Sequence, residues 1–294
     1  MAIKKSNGEK VFDVFNTVFM VILMLSMLYP FWHVAMASIS DSNELIARQG
    51  MLFTPKGLNF EAFQLVFKNP NISSGYKITI IVTVLGTAFN VIMTALGAYV
   101  LSRKNLLWKN PMMFLIIFTM FFSGGMIPSY LLVNNTLHMG NSLMALIIPG
   151  AVSTYNLIVM RTSFLGIPDS LEESAKMDGA TDFTVLFRIV LPLSMPVISV
   201  MILFYGVGHW NAWFGAMLYI RRRSMYPLQL ILREILVQNN TDNMVASVGT
   251  TDKASVGESI KFATIMVATL PILFVYPFLQ KYFVKGVMVG AVKG

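Results

Sequence analysis

Cysteine is absent from the 294 residues, which removes a disulfide framework, a thiolate metal site and a cysteine nucleophile. Charge is scarce as well. Asp, Glu, Lys and Arg make up 12% of the chain, against about 25% in an ordinary globular protein. No G-x-x-x-x-G-K-[ST] run occurs, so the chain has no P-loop of its own for ATP. No H-E-x-x-H occurs either, and His33, His138 and His209 stand far apart; scattered histidines of this kind are structural more often than metal ligands, and no metal site is expected. The long apolar runs after the first hold no Asp or Glu away from their ends. A proton-coupled carrier needs an ionisable group at membrane depth, although a sodium-coupled carrier using backbone carbonyls escapes this argument. No nucleophile–base pair stands out, so a membrane enzyme is unsupported.

What the chain does have is apolar length. It is 55% hydrophobic with a mean hydropathy of +0.66, and it holds several runs of the roughly 20 residues that cross a bilayer. The fold class expected is an all-α integral membrane protein, one domain with six transmembrane helices at about 11–39, 76–101, 111–126, 142–165, 191–220 and 260–282. The net charge of +8 fits basic residues that gather in cytoplasmic loops and set topology, so nucleic acid is not an expected partner. The 22 methionines read as lipid-facing or packing residues. Arg103, Lys104 and Lys109 in a very short loop give the clearest orienting signal, and the following loop to Asn141 has no Lys or Arg. Both termini are therefore expected inside. Ala35-Met36-Ala37 resembles a signal-peptidase site, but the run before it is too long for a signal core, and Tyr29-Pro30-Phe31-Trp32 reads as an interfacial anchor.

Several local features carry expectations. Gly86, Asn90, Thr94 and Gly97 form a stripe of small and polar residues that either lets helices approach closely or lines a path. Ser123 to Ser129 holds Gly124, Gly125 and Pro128, a break that ends or bends the third span. Short helices are expected near 60–67 and 227–237. On the fifth span Tyr205, His209 and Trp213 recur at i,i+4, with Trp210 and Asn211 beside them. This patch either contacts a bound molecule, through aromatic faces and an amide, or anchors the helix at the interface. Arg221-Arg222-Arg223 falls at the outer end of that span, against the charge rule, and needs another reason to exist.

The chain is organised around residues 167–196. Ser170 and Glu173 have capping-box spacing, which predicts a helix start, and Glu172 and Lys176 are an i,i+4 ion pair. Gly179 ends this helix, and Thr181 or Asp182 caps a second. There Phe183, Phe187 and Val190 are expected on one face, before Pro192 interrupts the ladder.

Glu173-Ser174-Ala175, Gly179 six residues after the glutamate, and Ile189-Val190-Leu191-Pro192 together resemble the cytoplasmic E-A-A loop of permease subunits in binding-protein-dependent ABC importers. Asp178-Gly179-Ala180 completes the pattern, and serine for the first alanine is the one departure. The polar segment before the last span and the tail Gln280 to Gly294 resemble the carbohydrate, maltose-permease-like branch. His209-Trp210-Asn211-Ala212-Trp213 and Tyr226-Pro227-Leu228-Gln229 are similar to a subgroup for complex and acidic oligosaccharides, such as pectin fragments and alginate. The resemblance implies a type I ABC importer permease fold with coupling helices at 167–190, in the bacterial cytoplasmic membrane. It implies a second permease subunit, an ABC ATPase dimer that holds the ATP and magnesium, and an extracytoplasmic solute-binding protein. The chain itself would carry no cofactor and no catalysis. Leu171, Glu172, Glu173, Ala175, Asp178, Gly179, Ala180 and Pro192 would then couple to the ATPase, with Leu171 and Ala175 in its groove and Glu173 on a basic or hydrogen-bonding group. The alternative is a self-contained secondary sugar carrier.

Overall fold

The computed structural model describes residues 6–47, 50–237, 257–274 and 277. The chain divides into two compact units, one of Met1–Asn69 and Glu234–Thr269, the other of Pro70–Arg233 and Leu270–Gly294. The described residues are mostly helical, with one isolated antiparallel bridge, Ser40 to Leu58.

In the first unit α1 (Asn7–Ser38) is a 32-residue helix, about 48 Å at 1.5 Å per residue. Its backbone starts on a cap in which Ser6 N donates to Glu9 Oε2 at 2.8 Å. Pro30 lies inside the helix. The expected anchor residues hold the next loop: Trp32 Nε1 donates to Phe53 O at 2.9 Å, and Leu52 N donates to the Tyr29 hydroxyl at 3.0 Å. Short helices α2 (Ser42–Ala47) and α3 (Glu61–Lys68) follow, the second where the sequence predicts one.

The second unit is built on α4 (Pro70–Ser102). Next come α5 (Lys109–Phe121), α6 (Met126–Leu131), α7 (Met144–Ile147), α8 (Thr154–Leu165), α9 (Asp169–Met177) and α10 (Asp182–Val185). After them run α11 (Leu191–Leu193), α12 (Met195–Asn211), α13 (Phe214–Tyr219) and α14 (Leu228–Val237). A last helix, α15, covers Gly257–Phe274; its residues 257–269, like 234–237 of α14, belong to the first unit. The core of this unit packs Ala98 and Tyr99 of α4 against Met160 and Phe164 of α8 and Ile198, Met201 and Tyr205 of α12.

The predicted small-residue stripe of α4 faces these partners. A Cβ on Gly86 would stand 2.6 Å from His209 Nε2, and one on Gly97 would stand 3.1 Å from Leu157. Helices in a bilayer gain from such close backbone approach, because lipid gives them no hydrophobic reason to associate.

Membrane-crossing capacity is less uniform than six equal spans. Among the described residues three helices, α1, α4 and α15, are long and apolar enough to cross, and up to five segments if each of two bent pairs counts as one. The first bent pair turns by 110° between Phe121 and Met126, at the predicted glycine break. The second turns by 86° between Leu193 and Met195. The stretch expected as a continuous span at 142–165 is interrupted instead. Only α8 is a sustained helix there, and at 12 residues it extends about 18 Å, short of the roughly 30 Å apolar core. Likewise the helix expected over 191–220 stops at Asn211 and resumes at Phe214. The end of the last expected span, the tail and the segment 238–256 lie outside the described residues.

Both kinds of interruption have a physical basis. Pro192 has no N–H for the ladder, and five residues of π-helix, Leu186–Val190, precede it. This widened turn shifts the apolar face: Val185, Leu186 and Val190 are buried, whereas Phe183 and Phe187 are exposed. The single face expected for Phe183, Phe187 and Val190 is therefore not formed.

The break between α7 and α8 sits among apolar residues, where free backbone groups are tolerated only if protein satisfies them. Asn90 Nδ2 of α4 donates to Gly150 O at 2.6 Å and Ala151 O at 2.9 Å. Ser153 N donates to the Tyr205 hydroxyl at 3.0 Å, and that hydroxyl is 2.7 Å from Thr94 Oγ1. His209 Nε2 meets Asn90 Oδ1 at 2.6 Å. The two carbonyls fix the amide with Nδ2 toward the break, so Oδ1 accepts and His209 carries its proton on Nε2.

Candidate functional site

The loop 167–190 folds as two helices at a sharp turn. α9 starts two residues earlier than the Ser170 capping box requires. Pro168 occupies the cap with extended backbone, φ −58° and ψ 130°, and proline suits a helix start because it has no N–H to lose. Asp169 and Glu172 in the first turn suit the positive end of the helix dipole.

The other end of α9 is closed by its glycine. Gly179 N donates to Lys176 O at 3.0 Å and Ala180 N to Ala175 O at 2.9 Å, the paired bonds of a Schellman turn. Gly179 has φ +81°, where a side chain costs about 1–2 kcal/mol. Nothing lies within 4 Å of the place a Cβ would take, so backbone conformation rather than crowding demands glycine. Thr181 then caps α10, its hydroxyl accepting from Thr184 N at 3.3 Å.

α9 divides its side chains between two audiences. Leu171, Glu173, Asp178 and Gly179 are exposed. Ala175 and Ala180 turn inward onto the unit's core, so Ala175 does not share an outward face with Leu171. Glu172 is also inward, with a side chain 15% exposed, and Lys176 Nζ pairs with it at 3.0 Å as the spacing predicts. Pro192 is exposed, beyond the π-helical turn.

Residues whose sequence pattern points only to topology hold this loop. Arg103, just past the end of α4, pairs with Glu172 and stacks its guanidinium 4.4 Å above the Tyr99 ring. Lys176 Nζ also reaches Asp182 Oδ1 at 3.1 Å, and the Tyr99 hydroxyl donates to the same oxygen at 3.4 Å. Lys104 pairs with Asp169. Its hydrogen bond holds the Asp169 carboxyl below the usual carboxylate range, and the carboxylate in turn raises Lys104. The Asp169 contribution is therefore lost as pH falls through its lowered pKa, and the Lys104 contribution as pH rises through its raised one. These groups line an open cleft of about 630 Å³. All five carboxylates between residues 62 and 233 fall within 169–182, so the acid of α9 meets base at the end of α4. That clustering was the available signal for the pairing.

The fifth-span patch separates into parts. Tyr205 is buried and His209 half-buried, and both bond within the polar cluster around Asn90. Trp210 stands edge-on to Tyr76 at 6.4 Å, and Asn211 is exposed. Trp213 lies beyond the end of α12, beneath the Arg233 guanidinium at 4.4 Å. The i,i+4 series thus stops at His209.

The arginine triplet is held by its backbone. Asn141, at φ +56°, accepts through Oδ1 from Arg221 N and Arg222 N, each at 3.1 Å, and donates its own N–H to Tyr219 O at 2.8 Å. The side chains of Arg221, Arg222 and Arg223 are exposed.

Known proteins resemble the chain over nearly its whole length. It is 40% identical over 287 residues, 97% of this chain and 99% of the other, to the polygalacturonan/rhamnogalacturonan transport system permease protein YtcP of Bacillus subtilis. It is 41% identical over 291 residues, 98% and 97% of the two chains, to protein LplC of the same organism. Among solved structures, a chain from a bacterial ABC transporter involved in the import of the acidic polysaccharide alginate matches with TM-score 0.88 and 32% identity, over 96% of this chain and 100% of that one. Residues 94–289, which include the whole α9–α10 loop and its anchor, match one family. The chain belongs to the binding-protein-dependent transport system inner membrane components.

Proposed function

We propose that this chain is one of two permease subunits of an ATP-driven importer that carries oligosaccharide, of an acidic kind, across the bacterial cytoplasmic membrane. An extracytoplasmic solute-binding protein delivers the sugar, and the loop 167–190 takes its movement from an ABC ATPase dimer on the cytoplasmic side. Both termini lie on that side, and six passes form the path with the second subunit. The observation that carries this reading is the exposed outer face of α9, Leu171, Glu173 and Asp178, ending on the Gly179 turn. A short helix with one face held and the other open suits helix-in-groove docking. The acidic substrate class rests on the names of the relatives, transporters of polygalacturonan, rhamnogalacturonan and alginate.

Reconstitution tests the reading. The purified chain in vesicles is expected to take up no sugar under a proton or sodium gradient. Uptake should appear when the second permease, the ATPase and the binding protein with a uronate oligosaccharide are supplied with ATP. Gradient-driven uptake by the chain alone would establish the secondary carrier instead.

The triplet Arg221–Arg223 supplies positive charge on the outer side, where it holds an acidic surface of the binding protein. Uptake by the complete system is then expected to weaken as salt rises from about 50 to about 500 mM, because the Debye length that screens exposed charges shrinks from about 14 Å to about 4 Å. In a triple-alanine variant this dependence should flatten. A salt response unchanged by the substitution would exclude the role. If the affinity for free anionic sugar changes and that for the binding protein does not, the triplet serves the sugar.

A further inference from the structure

The geometry points to Arg103 as a positioning residue that transmits movement between the coupling loop and the membrane helices; this deepens the reading above and rests on it. Five side chains form a closed ring. Arg103 stacks on Tyr99 and pairs with Glu172, Lys176 bridges Glu172 and Asp182, and the Tyr99 hydroxyl closes the circuit on Asp182. The ring ties three elements together: the end of α4, the middle of α9 and the first residue of α10. Because it closes, no one of these elements can shift without breaking a charged contact.

Arg103 is also braced from behind. Its Nε and Nη2 donate to Ser102 Oγ at 3.1 and 2.9 Å, and Nε also reaches Tyr99 O at 3.3 Å. A planar guanidinium fixed in this way has one direction left for its pairing edge. The pair is sheltered, with side chains 24% and 15% exposed. The parallel tether, Lys104 to Asp169, is 75% and 53% exposed, and open pairs of that kind contribute little. Of the two charged tethers between loop and helix, the sheltered one runs through Arg103, alongside the apolar contacts of Ala175, Ala180, Val185 and Leu186 with the core.

The helix it grips is continuous from Pro70 to Ser102, and the same helix carries Asn90, which holds the interrupted segment between α7 and α8, and Thr94, which bonds the Tyr205 hydroxyl that accepts from Ser153 N. Movement received on the outer face of α9 thus reaches the membrane interior as displacement of one rigid rod. Glu172 and Glu173, adjacent in sequence, point about 100° apart on the helix; both line the cleft, the first gripping Arg103 and the second exposed and open to a partner.

The test uses the complete transporter and reads ATP hydrolysed per sugar taken up. Arg103→Gln is expected to leave the yield of assembled complex and its basal ATPase unchanged, to lower uptake about tenfold or more, and so to raise that ratio by the same factor. Stimulation of the ATPase by loaded binding protein, which travels the same route in reverse, should fall in parallel. Arg103→Lys, which keeps charge without the fork, should fall between, and the exchange Arg103→Glu with Glu172→Arg should recover part of the coupling. A purely structural role would reduce the yield of complex while the surviving complex kept the original ratio; that result overturns the inference. Should Arg103→Gln not assemble, the lysine variant and the exchange decide in the same way. Glu173→Lys separates the two levels. If it raises the ratio and the Arg103 variants do not, only this inference fails; if neither does, docking on α9 fails with it.

Discussion

Replacing Gly179 with leucine is expected to lower uptake by the assembled transporter by about an order of magnitude, with the chain still inserted and the partner ATPase still active. The cost arises in the backbone. Gly179 sits at φ +81° with open space around its missing side chain, so leucine introduces no clash. It imposes about 1–2 kcal/mol of left-handed strain on the Schellman turn, enough to change the population of the docked geometry by a factor of roughly 5–30. Relief of that strain would unwind the end of α9 and turn the faces of Leu171 and Glu173 away from their present direction. Gly179→Asn is the informative control, since asparagine accepts this conformation at lower cost. The expected order of uptake is wild type, then asparagine, then leucine, at equal membrane yield. Equal uptake in all three variants would show that the turn does not set the position of α9.

Asn90→Leu is expected to have the largest effect on stability. The substitution is apolar and close to isosteric, so the lipid-facing composition of α4 is unchanged. What it removes is the donor pair for Gly150 O and Ala151 O and the acceptor for His209 Nε2. A hydrogen bond between membrane helices averages only about 0.6 kcal/mol, because the polar group finds other partners when helices separate. Here the partners are carbonyls of an interrupted helix with no alternative donor in the bonds around them, and an orphaned buried group costs about 1–3 kcal/mol. A total on the order of 3 kcal/mol follows from that penalty. It should appear as a lower thermal midpoint in detergent and a smaller folded fraction. Asn90→Asp should fare no better, since it brings acceptors to carbonyls, whereas His209→Gln keeps a donor and should be milder. A leucine variant with an unchanged midpoint would mean that the break is held by something else.

The two results concern parts of the chain that were unequally legible. In the loop, sequence spacing is enough for three features and misleads on two. Gly179, the Thr181 cap and the Glu172–Lys176 pair are local features, set by residues within a few positions of one another, and the structure forms each of them. The capping box on Ser170 fails because Pro168 starts the helix first. The face of Phe183 and Phe187 fails because a π-helical turn changes the helical period on which that face depends.

In the membrane segments hydropathy has less to say. An apolar run reads the same whether its backbone is helical throughout or interrupted. Pro149 and Gly150 are visible in the run, but the donor and acceptor that make an interruption tolerable come from Asn90 and Tyr205, far away along the chain. The α4 stripe is readable as a close-packing surface, yet its specific partners are not. The same limit applies to Arg103. Three basic residues in a short loop satisfy the topology rule completely, and nothing local says that one of them also grips Glu172 on a distant helix.

The different exposure of Glu172 and Glu173 has a genetic consequence. Loss of Glu172 disturbs a ring whose other members, Tyr99, Arg103, Lys176 and Asp182, all belong to this polypeptide, so its suppressors should arise within the same gene. Loss of Glu173 leaves every described contact of that ring in place, so on the docking proposed above its suppressors are expected in the gene for the partner. Two neighbouring codons would then map two different boundaries, one inside the subunit and one between subunits.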